Sequence, residues 1–215
     1  MTKSRDAASR SVSSRRLPVP VGPDRGRRRN ADVATAVLRA AVDLLDDPQI
    51  GLRRLTMQAV AQRAGVSKAT LYRWWPDKTH LVLDAYRSKS ARDIDTAKVV
   101  GDLRTDLAAH LGHIAYALHE LGSARSVIEI TLAAAADGSF GELYRDTLLR
   151  ERRRSLTEVL LAARRRGQVR PDIDLDVVVD AAYGAIHHRL LISRSAIDGP
   201  FITSLVDVLV AGVRT

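Results

Sequence analysis

The sequence of 215 residues contains no cysteine and no long uncharged run. The lack of cysteine excludes disulfides, thiolate chemistry and the usual structural zinc sites. No uncharged segment approaches the roughly 18 residues needed to span a bilayer. The N-terminus also lacks the apolar stretch of a signal peptide. These absences predict a cytoplasmic protein with no membrane partner.

Motifs typical of enzymes are absent as well. The sequence has no G-x-S-x-G, P-loop or G-x-G-x-x-G pattern. His110 and His113 form an H-x-x-H pair, but no carboxylates accompany them at metal-ligand spacing. The "DIDLD" segment at 172–176 lacks the glycine and the glutamate of a calcium loop. The sequence therefore predicts a protein that is not an enzyme and that holds no metal and no cofactor.

Positive charge is concentrated in the first ninety residues of a chain whose net charge is +9. Residues 1–30 contain nine Lys or Arg against two acids, and residues 31–90 contain nine against six. Residues 91–215 contain sixteen against seventeen. This asymmetry is expected if the N-terminal part meets a polyanion such as DNA. A solvated basic tail would give the same distribution.

Aromatic residues make up only 4% of the sequence, yet three of them fall in "GVSKATLYRWWPDK", residues 65–78. Its aromatic and basic side chains are Tyr72, Trp74, Trp75, Lys68, Arg73 and Lys78. Trp75, just before a proline, is predicted to be a core residue that fixes its helix onto the first helix. Trp74 is open to two interpretations: it contacts the DNA backbone, or it is simply exposed.

The N-terminal segment and the first helix are predicted from composition and apolar spacing. Residues 1–24 are rich in Ser, Arg and Pro without apolar periodicity, which predicts a disordered basic tail. "RGRRR" follows at 25–29 as an arginine arm. A first helix is expected to begin near Asn30 and to end at Pro48.

Three further helices follow with short breaks between them. Thr56 is predicted to cap "MQAVAQRA", which ends at Gly65, and Ser67 to cap "KATLYRWW", which ends before Pro76. Asp77 can cap the next helix. Because only "GVS" joins the second and third helices, this pattern predicts a helix-turn-helix motif. The third helix then occupies the recognition position.

The rest of the chain also has helical periodicity. An apolar seam is spaced 4-4-3-4-3 along one predicted helix, at Leu103, Leu107, Leu111, Ile114, Leu118 and Leu121. Further helices are predicted over 123–137, from about Gly141 to Arg166, and over 174–194 and 200–213. We therefore predict an all-α protein with a helix-turn-helix domain at 25–88 and a second helical domain at 89–215.

The segment "LTMQAVAQRAGVSKATLYRWWPDKTHLVLDAY", residues 55–86, resembles the DNA-binding signature of the tetracycline-repressor (TetR) family. The matching features are Thr56, the spaced alanines, "GVS", an aromatic before the proline and Lys78. The resemblance implies a homodimeric repressor that a small-molecule effector, bound in the second domain, releases from a palindromic operator. Such a regulator would be associated with the nucleoid. An effector-independent architectural DNA-binding dimer is the alternative.

The candidate DNA contacts lie in the helix-turn-helix and in the arginine arm. They are Thr56, Ser67, Lys68, Thr70, Tyr72, Arg73 and Lys78, together with Arg25, Arg27 and Arg28. Lys68 and Arg73 can reach base edges or phosphates. The resemblance implies a phosphate contact for Tyr72, and Lys78 is placed to pair with a phosphate beside backbone N–H groups. The arm either enters an adjacent minor groove or serves as a solubilising tail.

Two polar residues interrupt apolar faces in the second domain. His110 lies one helical turn from Leu107 and Ile114, and Thr131 lies beside Val127 and Ile130. Both are either hydrogen-bonded core residues or part of an effector pocket with Tyr144 and Tyr116.

The last two predicted helices offer a surface for a second copy of the chain. Small and apolar residues share one face of each helix: Ala181, Gly184, His188 and Leu191 on one, and Phe201, Leu205 and Leu209 on the other. These faces predict an isologous interface of four helices, two from each subunit.

Overall fold

A computed structural model describes residues 24–94, 101–119 and 124–214, and these ranges contain helices and no strand. The first five helices are α1 (Asp24–Asp46), α2 (Gly51–Arg54), α3 (Met57–Ala64), α4 (Lys68–Trp74) and α5 (Lys78–Ile94). The others are α6 (Leu103–His119), α7 (Ala124–Ala136), α8 (Gly138–Tyr144), α9 (Arg150–Arg165), α10 (Leu175–His187) and α11 (Gly199–Val213). The predicted all-α fold is confirmed.

Helix α1 begins six residues earlier than the sequence predicted. It starts at Asp24, so the backbone of "RGRRR" is helical and Asn30 lies inside the helix instead of capping it. Arginine is a good helix former and an acid is favourable in a first turn, which explains the extension. The tail predicted to be disordered comprises residues 1–24. Residues 1–23 lie outside the described residues, and Asp24 is the first residue of α1.

The caps and the turn of the helix-turn-helix are where the sequence predicted them. Thr56 Oγ1 accepts a hydrogen bond from Ala59 N at 3.1 Å, and Ser67 Oγ accepts one from Thr70 N at 3.1 Å. Gly65 ends α3 with φ = 67°, in the left-handed region that favours glycine. These local features set the angle between α3 and α4.

Trp75 is the residue that fixes the end of the recognition helix. Its side chain is only 2% exposed, and its Nε1 donates a hydrogen bond to Asp84 Oδ2 at 2.9 Å. The prediction of a core residue is confirmed. Its hydrogen bond, however, goes to α5 and not to the first helix. Leu71, one turn earlier, is fully buried, so the inner face of α4 is fixed at both ends.

Helix α7 of the second domain forms hydrogen bonds with the end of α1 and the start of α2. Glu129 Oε2 accepts a hydrogen bond from Leu52 N at 2.6 Å, and Ser126 Oγ donates to Asp46 Oδ1 at 2.8 Å. Gly51 has φ = 57°, and a Cβ there would lie 2.7 Å from Glu129 Oε2. Glycine is therefore favoured at this corner by its conformation, and a larger residue would also displace the Glu129 carboxylate from its hydrogen bond with Leu52 N.

The second domain packs around α6, which contacts α7, α9 and α11. The buried seam of α6 passes through Leu103, Leu107, Leu111, Ala115 and Leu118, while Ile114 is partly exposed. The predicted seam residue Leu121 lies outside the described residues. The seam shifts to Ala115 because an α-helix repeats every 3.6 residues and a long face drifts around it.

A continuous helical segment crosses the second domain from Gly138 to Arg165. Asp137 caps it through a 3.0 Å hydrogen bond from Phe140 N to Asp137 Oδ1. A π-helical turn at Arg145–Leu149 separates α8 from α9. The segment begins three residues before the predicted Gly141, because Asp137 is an effective cap. Among the described residues, no helix is long and apolar enough to cross a membrane.

Candidate nucleic-acid interface and polar cluster of the second domain

The outer face of α4 presents the side chains predicted to contact DNA. Lys68, Tyr72 and Arg73 are exposed, Tyr72 to 51%. Trp74 is half-buried against the core, and the Arg73 guanidinium lies 6.0 Å from its ring centroid. An ammonium, a phenol and a guanidinium on the exposed face of one short helix form a surface that suits a groove of duplex DNA.

The predicted hydroxyl contacts also organise the turn. Ser67 Oγ and Thr70 Oγ1 lie 2.9 Å apart, while Thr56 and Ser67 each accept a backbone hydrogen bond. Thr56 and Ser67 are exposed. These hydroxyls therefore position the N-termini of α3 and α4, the ends that carry unpaired N–H groups and favour anions.

Lys78 makes an internal contact that the sequence did not predict. Its Nζ donates a hydrogen bond to the Leu52 carbonyl at 2.8 Å. Burial lowers the pKa of the Lys78 ammonium. In this structure the ammonium thus joins α5 to α2, and a contact with phosphate requires that this hydrogen bond be given up or shared.

The arginine arm is part of α1 in this structure. Arg25, Arg27 and Arg28 lie in the first two turns of the helix, and their side chains are outside the described residues. A minor-groove contact by these residues stays a prediction.

A polar cluster lies inside the second domain, around His110. His110 is 7% exposed, and its Nε2 lies 3.0 Å from Tyr183 Oη. The Tyr183 hydroxyl donates to the Arg152 carbonyl oxygen at 3.1 Å. Because a phenol has one proton, His110 donates Nε2–H to Tyr183 in this arrangement. Burial, with the nearby His113 and Arg152, lowers the pKa of His110 to about 4.

Arg152 connects this cluster to α5. Its Nη2 donates to Tyr86 Oη at 2.8 Å, and the guanidinium carbon lies 5.2 Å from the centroid of the Tyr86 ring. Burial alone would lower the pKa of Arg152, but the hydroxyls of Tyr86 and Tyr144 outweigh it and the net shift is upward. The guanidinium is therefore charged, and it is stabilised by the ring face as well as by hydrogen bonds.

The four predicted effector-pocket residues do not all come together. Thr131 Oγ1 donates to the Val127 carbonyl at 2.8 Å. Tyr144 is 8% exposed, and burial raises the pKa of its hydroxyl. Tyr116 is 53% exposed, because it follows the buried Ala115 by one residue and so turns outward. His110 and Tyr144 thus lie in the interior and Thr131 is half-buried, whereas the prediction that Tyr116 faces the interior is wrong.

The predicted dimer residues divide between the surface and the protomer core. Ala181, Gly184 and His188 are exposed along α10 and the π-helical segment His188–Ser193 that continues it. Leu205 and Leu209 are buried within the protomer because α11 packs against α6 and α10. Leu191 and Phe201 are half-buried.

The exposed apolar side chains nearby are Val177, Ile192 and Val208, at 62%, 72% and 69%. The apolar surface that α11 leaves exposed in the protomer therefore includes Val208 and not Leu205 or Leu209.

Comparison with known proteins agrees with this geometry. The model of bacterial regulatory proteins of the tetR family matches residues 37–85, and that of the tetracyclin repressor-like C-terminal domain matches residues 100–209. The chain belongs to the TetR family. TetR-family members are DNA-binding transcriptional regulators and not enzymes, and the corresponding predictions are confirmed.

Several TetR-family relatives align over most of this chain. The uncharacterised HTH-type transcriptional regulator YdeS of Bacillus subtilis is 31% identical, covering 88% of this chain and 94% of its own. The DNA-binding transcriptional repressor TetR of Mycobacteroides abscessus is 29% identical, covering 88% and 96%. The crystal structure of the TetR family transcription regulator SCO0332 superposes with a TM-score of 0.71 at 38% identity, covering 86% and 100%.

Sequence reasoning missed Arg152, Tyr86 and Tyr183, although a signal was present. Arg152 lies four residues after Leu148 and four before Leu156, both of which are buried. That spacing places Arg152 on the buried apolar stripe of its helix. An arginine on an apolar stripe is a specific signal, since buried arginines need particular partners.

The shifted pKa of His110 predicts that the protein loses stability in mild acid. The folded value of about 4 lies below the ordinary 6.5, so the unfolded chain binds the proton first. The stabilisation is fully present above about pH 6.5 and is lost as the pH falls towards about 4, by up to roughly 3 kcal/mol. Urea denaturation between pH 4 and 7.5 measures this loss.

A variant separates His110 from the other titrating groups. His110→Gln should flatten the decline, leaving a smaller one from His187, whose pKa burial also lowers. His80→Gln, at a partly exposed site beside Asp77, is the control and should keep the full decline. An unchanged decline in His110→Gln would contradict the assignment.

Proposed function

We propose that this TetR-family regulator is a homodimeric repressor that binds a palindromic operator through α4 and is released by a small-molecule effector in the second domain. It acts in the cytoplasm on chromosomal DNA. The observation that carries the proposal is the exposed row of Lys68, Tyr72 and Arg73 on a helix whose opposite face is fixed by Leu71 and Trp75. A rigid exposed helix keeps its side chains in register with base edges.

Homodimerisation is supported by the apolar and small side chains that α10 and α11 leave exposed. A palindromic operator mirrors the two-fold symmetry of an isologous dimer, and each subunit then places α4 in one half-site. The name of the M. abscessus relative, a DNA-binding transcriptional repressor, supports repression.

Effector release is supported by the contacts that join the two domains. Glu129 of α7 caps α2, and Arg152 of α9 contacts Tyr86 of α5. An effector that binds the second domain more tightly in one arrangement of these helices shifts the population towards that arrangement, and operator affinity falls by linkage.

The operator surface is tested by fluorescence anisotropy with the upstream region of the chain's own gene against a shuffled duplex. Arg73→Ala and Lys68→Ala should each weaken the specific complex about 5- to 150-fold, which corresponds to the loss of roughly 1–3 kcal/mol per base contact. Arg154→Ala, an exposed arginine of α9 paired with Glu158, removes the same charge and should leave binding nearly unchanged.

Two outcomes would contradict this proposal. Equal affinity for the upstream and the shuffled duplex would remove sequence-specific repression. Equal losses in Arg73→Ala and Arg154→Ala would mean that only overall charge matters, as expected for a non-specific architectural protein.

A further inference from the structure

The one-turn helix α2 is bound at its start by a carboxylate of the second domain. The helix spans only Gly51–Arg54, and the residue before it, Ile50, has no side-chain acceptor that could cap it. Glu129 of α7 supplies the acceptor, because its Oε2 accepts the Leu52 N–H at 2.6 Å. A single helical turn is unstable by itself, since its formation fixes several residues for one hydrogen bond. Helix α2 therefore depends on contacts from outside it.

Arg125, one turn before Glu129 on α7, fixes the position of this carboxylate. Its Nε donates to Glu129 Oε1 at 3.1 Å, and its Nη1 donates to the Pro48 carbonyl oxygen at 2.6 Å. Pro48 lies in the segment between α1 and α2. The guanidinium thus binds both the carboxylate and the backbone of the corner that the carboxylate contacts. Charge-assisted hydrogen bonds of this kind hold Glu129 in the orientation that reaches Leu52 N.

Lys78 binds the other backbone polar group of the same residue. Its Nζ donates to the Leu52 carbonyl oxygen at 2.8 Å. Lys78 is the first residue of α5, four residues after Trp74, the last residue of α4. Between them, Trp75 donates its Nε1–H to Asp84 of α5, so that α4 and α5 are held together. A shift of Leu52 would therefore move the start of α5 and, with it, the end of the recognition helix.

We propose that Glu129 is a positioning residue for operator binding, which acts through Leu52 and Lys78 to fix the start of α5 beside the recognition helix. The inference rests on the proposed operator binding by α4. A carboxylate on an N–H and an ammonium on a carbonyl of the same short helix are the contacts that a helix dipole favours. An acidic residue of the second domain thereby supports binding to a polyanion that its own charge would repel.

The same contacts assign Lys78 a role other than a phosphate contact. The Leu52 side chain is buried, and the hydrogen bond from Lys78 to the Leu52 carbonyl is itself partly buried. Moving the ammonium to a phosphate would leave this carbonyl without that donor, which costs free energy. Lys78 therefore keeps its bond with Leu52 in the operator complex and contributes by holding α2 against α5.

Two conservative variants separate the hydrogen bond of Glu129 from its charge in anisotropy measurements with the operator duplex. Glu129→Asp keeps the charge but is one methylene too short to reach Leu52 N, and affinity should fall about 10-fold, as when about a tenth of the molecules hold α4 correctly. Glu129→Gln keeps the length and an acceptor oxygen, and should stay within about 3-fold of the unaltered protein. Glu142→Asp makes the same shortening at an exposed residue of α8 and should bind like the unaltered protein.

Lys78→Met tests the other end of this connection. It should also weaken operator binding about 10-fold, yet leave the slope of log K against log salt unchanged. A lysine on a phosphate would instead change that slope by about 0.9 for each subunit bound. Lys68→Met, which removes the same charge from the exposed face of α4, provides the comparison and should change the slope by about that amount.

The double variant of Glu129→Asp with Lys78→Met measures whether the two residues act as a unit. It should lose about 10-fold in all, whereas independent effects would multiply to about 100-fold. Circular dichroism checks that each variant is folded. If Glu129→Asp does not fold, the salt slope of Lys78→Met decides alone.

The outcomes distinguish this inference from the proposed function. The positioning role is overturned if Glu129→Asp binds like the unaltered protein, if Glu129→Gln loses as much as Glu129→Asp, if the losses multiply in the double variant, or if Lys78→Met changes the salt slope. In these cases a preference of the unaltered protein for its operator over the shuffled duplex leaves the proposed function intact. If the unaltered protein shows no such preference, the proposed function fails, and this inference fails with it.

Discussion

Trp75→Ala is expected to lower the free energy of unfolding by about 3–5 kcal/mol, the range for removing a large aromatic from a core. The ring is 2% exposed, and its Nε1 hydrogen-bonds to Asp84. The substitution leaves a cavity and an unpaired carboxylate between α4 and α5. Urea denaturation followed by circular dichroism, at fixed protein concentration because a dimer gains stability by mass action, measures the loss.

Two further variants show which part of Trp75 matters. Trp75→Phe keeps an aromatic ring but removes the donor to Asp84, and should cost roughly 1–3 kcal/mol. Tyr72→Ala removes an exposed aromatic from the same helix and should change stability by less than about 1 kcal/mol, while it weakens DNA binding. A Trp75→Ala protein as stable as Tyr72→Ala would show that the packing of α4 on α5 is not as described.

Gly184→Arg is expected to dissociate the proposed homodimer and to lower apparent operator affinity by about 100-fold or more, the scale of lost bivalency. Gly184 is exposed on α10, and a Cβ there would have no heavy atom within 4 Å in the protomer. The protomer should tolerate the change, since arginine favours a helix more than glycine does. A closely packed subunit interface would not tolerate it. Sedimentation velocity and anisotropy measure the two effects.

A control distinguishes this effect from general surface damage. Leu132→Arg places the same side chain on α7, at a residue that is 52% exposed, and should leave the dimer intact. If Gly184→Arg sediments as the unaltered dimer, the interface lies elsewhere. If it is monomeric yet binds the operator with full affinity, the bivalent mode of binding is wrong.

The sequence was most informative where structure depends on neighbouring residues. Thr56, Ser67 and Asp77 were predicted as caps from residue type and spacing, and each accepts the hydrogen bond of a cap. Gly65 ends α3 in the left-handed conformation, as predicted. Such features need only a few adjacent residues to form, so a single sequence contains them. The exposure of Lys68, Tyr72 and Arg73 on α4 followed from the same local pattern.

The sequence was less informative about which partner each side chain would meet. Lys78 was predicted to reach a phosphate, but its ammonium binds the Leu52 carbonyl. Leu205 and Leu209 were predicted at a subunit interface and lie in the protomer core. Periodicity identifies the apolar face that carries Leu205 and Leu209, but it cannot say which neighbour covers that face.

The sequence by itself determined the all-α fold, the helix-turn-helix and its TetR-family signature, because caps, turns and apolar spacing act over short distances along the chain. Only the tertiary structure brought Tyr86, His110, Arg152 and Tyr183 together, since they lie on four helices far apart in sequence. It also decided that Trp75 fixes α4 to α5 and that Glu129 caps α2 from the other domain. These contacts depend on how whole helices pack, which is set by the burial of many side chains at once.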